Sequence, residues 1–159
     1  MITTVAIGIT NRCNLACPSC PGGKTTWNKT APKLRCIEPL LFEKIIERLV
    51  SLYGNSFQVM TSLFSEPLLH PDIDALLHIL EKYGLGAFIS SNLNIQRDFT
   101  SIFSIRSLKE LLVSISAVTP EKYQINHRGG NIELVRKNLA NIVEAEKHPH
   151  CKISVAFHL

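Results

Sequence analysis

An α/β fold of parallel strands with helices packed outside them is what this sequence predicts. Two observations carry that expectation. Short apolar strand-like runs alternate along the chain with helical apolar periodicities, and chemically distinctive polar residues gather just behind the strand-like runs. The strand-like runs are 4–9, 57–63, 85–91, 111–117 and 152–158, each bounded by polar or turn residues, as expected of strands buried on both faces. Residues 38–53 form a first helical pattern, with Leu41, Ile45, Leu49 and Leu52 on one face and Pro39 suited to the first turn. Residues 71–83 bring Ile73, Leu76, Leu77 and Leu80 together, and Gly84 provides a stop. Residues 131–147 repeat the pattern with Ile132, Val135, Leu139, Ile142 and Val143. The short apolar stretch 98–106 reads as a further helix. Strand–helix alternation of this kind implies right-handed crossovers between parallel neighbours.

The 159 residues fit one domain, and 45% hydrophobic with 19% charged residues is enough to bury a real core. The formal charge of +4 tolerates an anionic partner without demanding nucleic acid. No apolar run approaches the roughly 18 residues of a membrane span. The N-terminus lacks the charged-then-apolar order of a signal peptide, so a cytoplasmic location is expected. Residues 154–159 read as the middle of a strand, so either a partner covers that edge or the natural protein continues.

Ligands of open α/β sheets bind beyond the carboxyl ends of the strands. The polar residues found there are the cysteine loop, Ser65-Glu66-Pro67, Ser91-Asn92, and Ser114 with Ser116. Of five cysteines, three fall within eight positions, in Cys13-Asn-Leu-Ala-Cys17-Pro-Ser-Cys20. Three thiolates on one loop suit an iron–sulfur cluster, and the lack of a nearby fourth leaves one iron open to an exogenous ligand. Spacing alone also allows a three-cysteine zinc site completed by His, or a redox dithiol at Cys17 and Cys20 that leaves Cys13 unexplained.

The cysteine spacing and its context, Thr10-Asn11-Arg12-Cys13-Asn14-Leu15, resemble the CxxxCxxC signature of the radical S-adenosylmethionine (radical SAM) superfamily. Phe64-Ser65-Glu66-Pro67-Leu68-Leu69-His70-Pro71 resembles that family's GGEP segment. Ser90-Ser91-Asn92 resembles its S-T-N-G turn. The segment from Ser114 through Tyr123 to His127-Arg128-Gly129-Gly130 resembles the fourth-strand segment of members with a C-terminal auxiliary-cluster (SPASM-type) domain, peptide-modifying enzymes among them. The resemblance covers nearly the whole chain. It implies a partial, TIM-like (βα) barrel, truncated relative to the six-stranded core, with residues 1–159 forming a C-terminally incomplete core domain.

By the same resemblance, Cys13, Cys17 and Cys20 hold a 4Fe–4S cluster whose open iron chelates the amino and carboxylate groups of S-adenosylmethionine. Reductive cleavage of that cofactor gives a 5′-deoxyadenosyl radical that abstracts hydrogen from substrate. The implied cofactor-binding residues are Ser65, Glu66 and Pro67 at the methionyl ammonium, Asn92 at the third strand end, and Ser114 and Arg128 near the ribose or carboxylate. The implied partners are an electron donor such as flavodoxin or ferredoxin and a peptide or protein substrate. A non-catalytic iron–sulfur or electron-carrying module, or a zinc-binding one, is the alternative.

The chain departs from the family pattern in places. Ser65 and Leu93 stand where Gly is usual, Ser116-Ala117 replaces Asp-Gly, and Ser19 replaces an aromatic residue. Each candidate also has a plainer reading. Glu66 is a helix-entry carboxylate, Asn92 a turn former, Ser114 a strand polar residue and Arg128 a surface loop residue. Cys36 and Cys151 read as spare thiols, His148-Pro-His150 as a solvated turn, and Lys24, Lys29, Lys33 and Arg35 as a solvated loop around Trp27.

Overall fold

The computed structural model describes residues 2–22, 35–144 and 150–157. Among them the chain runs β1 (Thr4–Ala6), α1 (Pro39–Tyr53), β2 (Gln58–Met60), a 3₁₀ turn (Pro67–Leu69), α2 (Ile73–Lys82), β3 (Gly86–Ser91), α3 (Thr100–Ser104), β4 (Leu108–Ile115), α4 (Pro120–Asn126), α5 (Ile132–Glu144) and β5 (Lys152–Phe157). The strands form one sheet in the order β1-β2-β3-β4-β5. Every neighbouring pair is parallel, with Val5 opposite Val59, Met60 opposite Phe88, Ile89 opposite Leu111 and Val113 opposite Val155. The sheet is open, with β1 and β5 at its edges, as a partial barrel requires.

One face of the sheet carries the core. Val59, Ala87, Ile89, Leu111 and Val113 join Ile46, Leu77, Ile102, Phe103 and Val135 of the helices in a single apolar cluster. Each such side chain contributes roughly 1.5–3 kcal/mol by leaving water. The alternate residues Phe88, Ser90, Leu112 and Ser114 lie half-buried on the opposite face, as the two-residue period of a strand dictates.

Strands β1 and β2 use only half of their apolar runs. Ile7 N–H still donates to the Met60 carbonyl (2.9 Å), but the Ile9 carbonyl accepts instead from Ile37 N–H (2.9 Å). The outgoing and returning arms of the cysteine loop thus pair with each other, with an antiparallel bridge at Thr10 and Cys36. Strand β4 starts three residues ahead of its apolar run. Ala87 N–H bonds the Ser107 carbonyl and Ser107 Oγ donates to the Leu77 carbonyl, which holds the entry of the strand in the sheet.

Helix α2 and its Gly84 stop, at φ 69°, follow the sequence expectation, and Ile73, Leu76, Leu77 and Leu80 are all buried. The buried face of α1 does not. Phe42 and Ile46 are inaccessible, whereas Leu41 is 54% and Leu52 53% exposed. Both stripes of α1 are apolar, so periodicity could not choose between them; packing against α2 and the sheet does. In α5, Ile132, Val135 and Ile142 are buried but Val143 is exposed, and polar Asn138 lies in the core, where its amide donates to the Leu93 and Ile95 carbonyls. The remainder of the expected 131–147 helix lies outside the described residues. Helix α4 has no counterpart in the sequence reading. Its signal is Thr119-Pro120, with proline at the first turn, and it buries Tyr123 completely.

Among the described residues no helix is long and apolar enough to cross a membrane.

The two stripes of α1 separate in a stability measurement. Ile46→Ala lowers unfolding free energy by about 2–5 kcal/mol, whereas Leu41→Ala changes it by no more than about 0.5 kcal/mol. Urea titration followed by far-ultraviolet circular dichroism distinguishes them, and equal losses would contradict the observed face.

Candidate functional site

The polar residues expected behind the strands do converge at the carboxyl edge of the sheet, and the residue that joins them is Glu66. It is 1% exposed. Its N–H donates to the Arg12 carbonyl (2.8 Å), immediately before Cys13. Its Oε1 accepts from Leu68 N–H (3.1 Å), opening the 3₁₀ turn, and from Ser91 Oγ (2.9 Å). Its Oε2 accepts from Asn92 N–H (2.8 Å). Glu66 is therefore more than a helix-entry carboxylate, because it ties the loop after β2 to the end of β3 and to the cysteine loop. Burial pushes its carboxyl up to about 7, and the bonds from Asn92, Ser91 and Leu68 oppose that rise.

Asn92 forms a turn and also reaches the cysteine loop. Its Oδ1 accepts from Asn94 N–H (2.8 Å), a turn-forming bond. Its Nδ2 donates to Asn14 Oδ1 (3.0 Å) inside the cysteine loop and lies 3.9 Å from Cys13 Sγ. Asn14 Nδ2 donates in turn to the Asn94 carbonyl (2.7 Å), and Asn94 Nδ2 to Tyr123 Oη (2.8 Å). Asn14, Asn94 and Tyr123 were not singled out in the sequence. Their signal is the density of asparagines at two strand ends, which is visible only once those ends are known to adjoin.

Cys13, Cys17 and Cys20 are free, half-buried thiols on one loop. Burial pushes the Cys13 thiol up to about 11, with smaller contributions from nearby Glu66, Cys17 and Cys20; burial raises Cys17 also, followed by Cys20. Thiols bind metal only as thiolates, so loading this loop releases protons. Among the described residues no three His, Cys, Asp or Glu side chains converge on one point that a single ion could occupy. A cubane cluster makes a different demand, since each thiolate takes its own iron.

The donor set fits such a cluster: soft thiolates, no competing carboxylate bonded to them, and partial shelter from water. Polar groups without protein partners lie around it. Among the described residues, Arg12 Nε, Thr61 Oγ1 and Ser65 Oγ are buried atoms with no hydrogen-bond partner. All three belong to the cysteine loop or the loop after β2, where a polar ligand would satisfy them.

The remaining candidates separate. Pro67 is buried in the 3₁₀ turn. Ser114 is half-buried on the open sheet face opposite Ala156. The Arg128 side chain is exposed, and its carbonyl accepts from Ala16 N–H (2.9 Å), between the first two cysteines. Phe64, just before Ser65, adopts φ 53°, and Leu93, where the family pattern carries Gly, adopts φ 54°. The glycine-like backbone is retained although the residue is not. His70, quoted only as part of a motif, is fully buried; Nδ1 accepts from Asp72 N–H (3.0 Å), so Nε2 donates to the Ile37 carbonyl (3.0 Å). Cys36 lies beside Thr10 Oγ1, and Cys151 is buried, away from this edge. Arg35 N–H donates to Asn11 Oδ1 (2.8 Å) at the base of the loop; Lys24, Trp27, Lys29, Lys33 and His148 lie outside the described residues.

A parallel α/β sheet with a CxxxCxxC loop leaving its first strand agrees with what family comparison finds. The model of the radical SAM superfamily matches residues 7–158, and the chain belongs to that superfamily. In sequence it is similar to GTP 3′,8-cyclase of Peptoclostridium acidaminophilum, 26% identical over 147 residues, 91% of this chain and 43% of that protein. In structure it is similar to anSMEcpe with bound AdoMet (TM-score 0.73, 12% identity, covering 99% of this chain and 43% of that one). It is also similar to Streptococcus suis SuiB, bound to S-adenosylmethionine (0.69, 19%, 96% and 33%) and to the precursor peptide SuiA (0.68, 19%, 96% and 32%). The chain thus spans less than half the length of these proteins. The family's cofactors are a 4Fe–4S cluster and S-adenosylmethionine.

The buried carboxyl makes a prediction for the metal-free chain. Between pH of about 4.5 and 7 the folded chain keeps a proton on Glu66 that the unfolded chain has released. Its contribution to stability is therefore full below that window and lost as pH rises through it, on the order of 3 kcal/mol. Glu66→Gln removes this slope. Urea midpoints of both proteins across the window measure it, and parallel curves would show that Glu66 titrates normally.

Proposed function

We propose that this chain is the catalytic core of a radical SAM enzyme, with the cluster held by Cys13, Cys17 and Cys20. The observation that carries the reading is the bracing of the three-cysteine loop from three sides. Glu66 N–H holds the Arg12 carbonyl, Asn92 holds Asn14, and the Arg128 carbonyl holds Ala16 N–H. When bound, the cluster and S-adenosylmethionine together supply one-electron cleavage of the sulfonium and a carbon-centred radical able to take hydrogen from substrate.

The chain's residues bind and orient. The backbone at Ser65, Glu66 and Pro67 faces the ammonium of the methionyl group, with Ser65 Oγ available to it. Asn92 fixes the turn beside Cys13. Ser114, on the open sheet face, and the Arg128 guanidinium bind the ribose or the carboxylate; the latter suits Arg through paired hydrogen bonds. The half-buried loop limits water around the thiolates. An electron donor of the flavodoxin or ferredoxin kind and a cytoplasmic setting complete the reading.

A peptide or protein substrate is the first choice. It is supported by the segment from Ser114 to Gly130 and by the similarity to SuiB, which binds a precursor peptide. A nucleotide is the second, favoured by the similarity to GTP 3′,8-cyclase at 26% identity against 19% for SuiB.

Two measurements test the reading. Anaerobic reconstitution with iron and sulfide, followed by dithionite and S-adenosylmethionine, yields 5′-deoxyadenosine, and Cys13→Ala, Cys17→Ala and Cys20→Ala each abolish both iron uptake and product. Iron uptake without product marks a non-catalytic iron–sulfur module, and no uptake returns the site to zinc or structural thiols. Arg128→Ala keeps its backbone carbonyl and hence its iron content, but raises the dissociation constant for S-adenosylmethionine by roughly tenfold or more. Unchanged affinity would make Arg128 a surface residue.

A further inference from the structure

Ser116 and His127 form a buried pair that the site described above does not use. Each is 8% exposed, and Ser116 Oγ lies 2.6 Å from His127 Nδ1. The His127 ring stacks on Tyr123 with centroids 4.7 Å apart and planes 7° from parallel. Ser116 follows β4 and His127 follows α4, so their hydrogen bond joins the end of a strand to the loop between α4 and α5.

That loop is held unusually firmly. His127 N–H donates to the Tyr123 carbonyl (2.7 Å) and Gly130 N–H to the His127 carbonyl (2.9 Å). Gln124 Oε1 accepts from Gly129 N–H (3.1 Å) while its amide donates to the Gly130 carbonyl. A Cβ at Gly130 would lie 2.8 Å from Tyr123 Cε1 and 3.0 Å from the His127 carbonyl oxygen, so only glycine fits. From this frame the loop makes one backbone bond to the cysteine loop, from Ala16 N–H to the Arg128 carbonyl (2.9 Å). Ala16 lies between Cys13 and Cys17.

We propose that Ser116 and His127 are positioning residues for the cluster-binding loop. Their pair fixes His127, His127 fixes the neighbouring Arg128 peptide, and the Arg128 carbonyl holds the Leu15–Ala16 peptide, between Cys13 and Cys17, in the conformation that presents both thiols. The inference rests on the reading of Cys13, Cys17 and Cys20 as cluster ligands.

The test uses the full chain. In the metal-free protein, Ala16 amide exchange followed by nuclear magnetic resonance is expected to quicken in Ser116→Ala and in His127→Phe, which keeps the stack on Tyr123. Loss of one hydrogen bond corresponds to about fivefold. In the reconstituted protein, iron loss to a chelator is expected to quicken by a similar factor. The urea midpoint stays close to that of the wild type, and Ser116→Thr restores both rates. Exchange at Ala16 and iron loss unchanged in both variants would overturn the proposal. So would changes that merely track a lowered urea midpoint. Failure of the wild-type chain to take up iron would instead defeat the cluster reading, while the Ala16 exchange rates still decide the role of the pair.

Discussion

Glu66, through its carboxylate and its peptide N–H, holds three strand ends in one place, and the rest of the site is arranged around it. A buried carboxyl is costly to ionise, and here three hydrogen-bond donors offset part of that cost without cancelling it. Those donors come from the 3₁₀ turn, Ser91 and Asn92, so satisfying the carboxylate requires the end of β3 to meet the loop after β2. The backbone of the same residue reaches Arg12. One side chain and its peptide thereby set the distance between the cysteine loop and two neighbouring strands.

The turns beside this carboxylate carry local strain. Phe64 and Leu93 both sit in the left-handed region, at about 1 kcal/mol or more each for residues with a Cβ. Leu93 is compensated by full burial, by a bond from its N–H to Ser91 Oγ (2.9 Å), and by Asn138 on its carbonyl. Phe64 is 64% exposed and has no such burial. The backbone course at the end of β3 is therefore imposed by tertiary bonds and not by local preference.

Around the cysteine loop the polar network is built chiefly from neutral amides and backbone carbonyls. This suits a site meant to receive thiolates together with a charged cofactor, since amides orient a loop without adding like charge. The open sheet leaves Ser90 and Ser114 half-buried on the face away from the helices. That face adjoins the edge where the cysteines emerge, which is where ligands of parallel α/β sheets bind.

Helices α2 and α5 and the alternation of strands and helices in a parallel sheet were readable from the chain, because periodicity and helix stops are local properties. The radical SAM pattern was equally readable, since its motifs are contiguous. Other features depended on pairs of residues far apart in sequence. Asn14 bonds Asn94 across 80 positions, and Arg128 serves the cysteine loop through a carbonyl that every residue possesses. The partners of Glu66 and Ser116, which are Ser91, Asn92 and His127, could not be named from sequence because they belong to other elements. The buried stripe of α1 was misassigned for the same reason. Two apolar faces are equivalent to a helix considered alone, and only its neighbours decide which one leaves water.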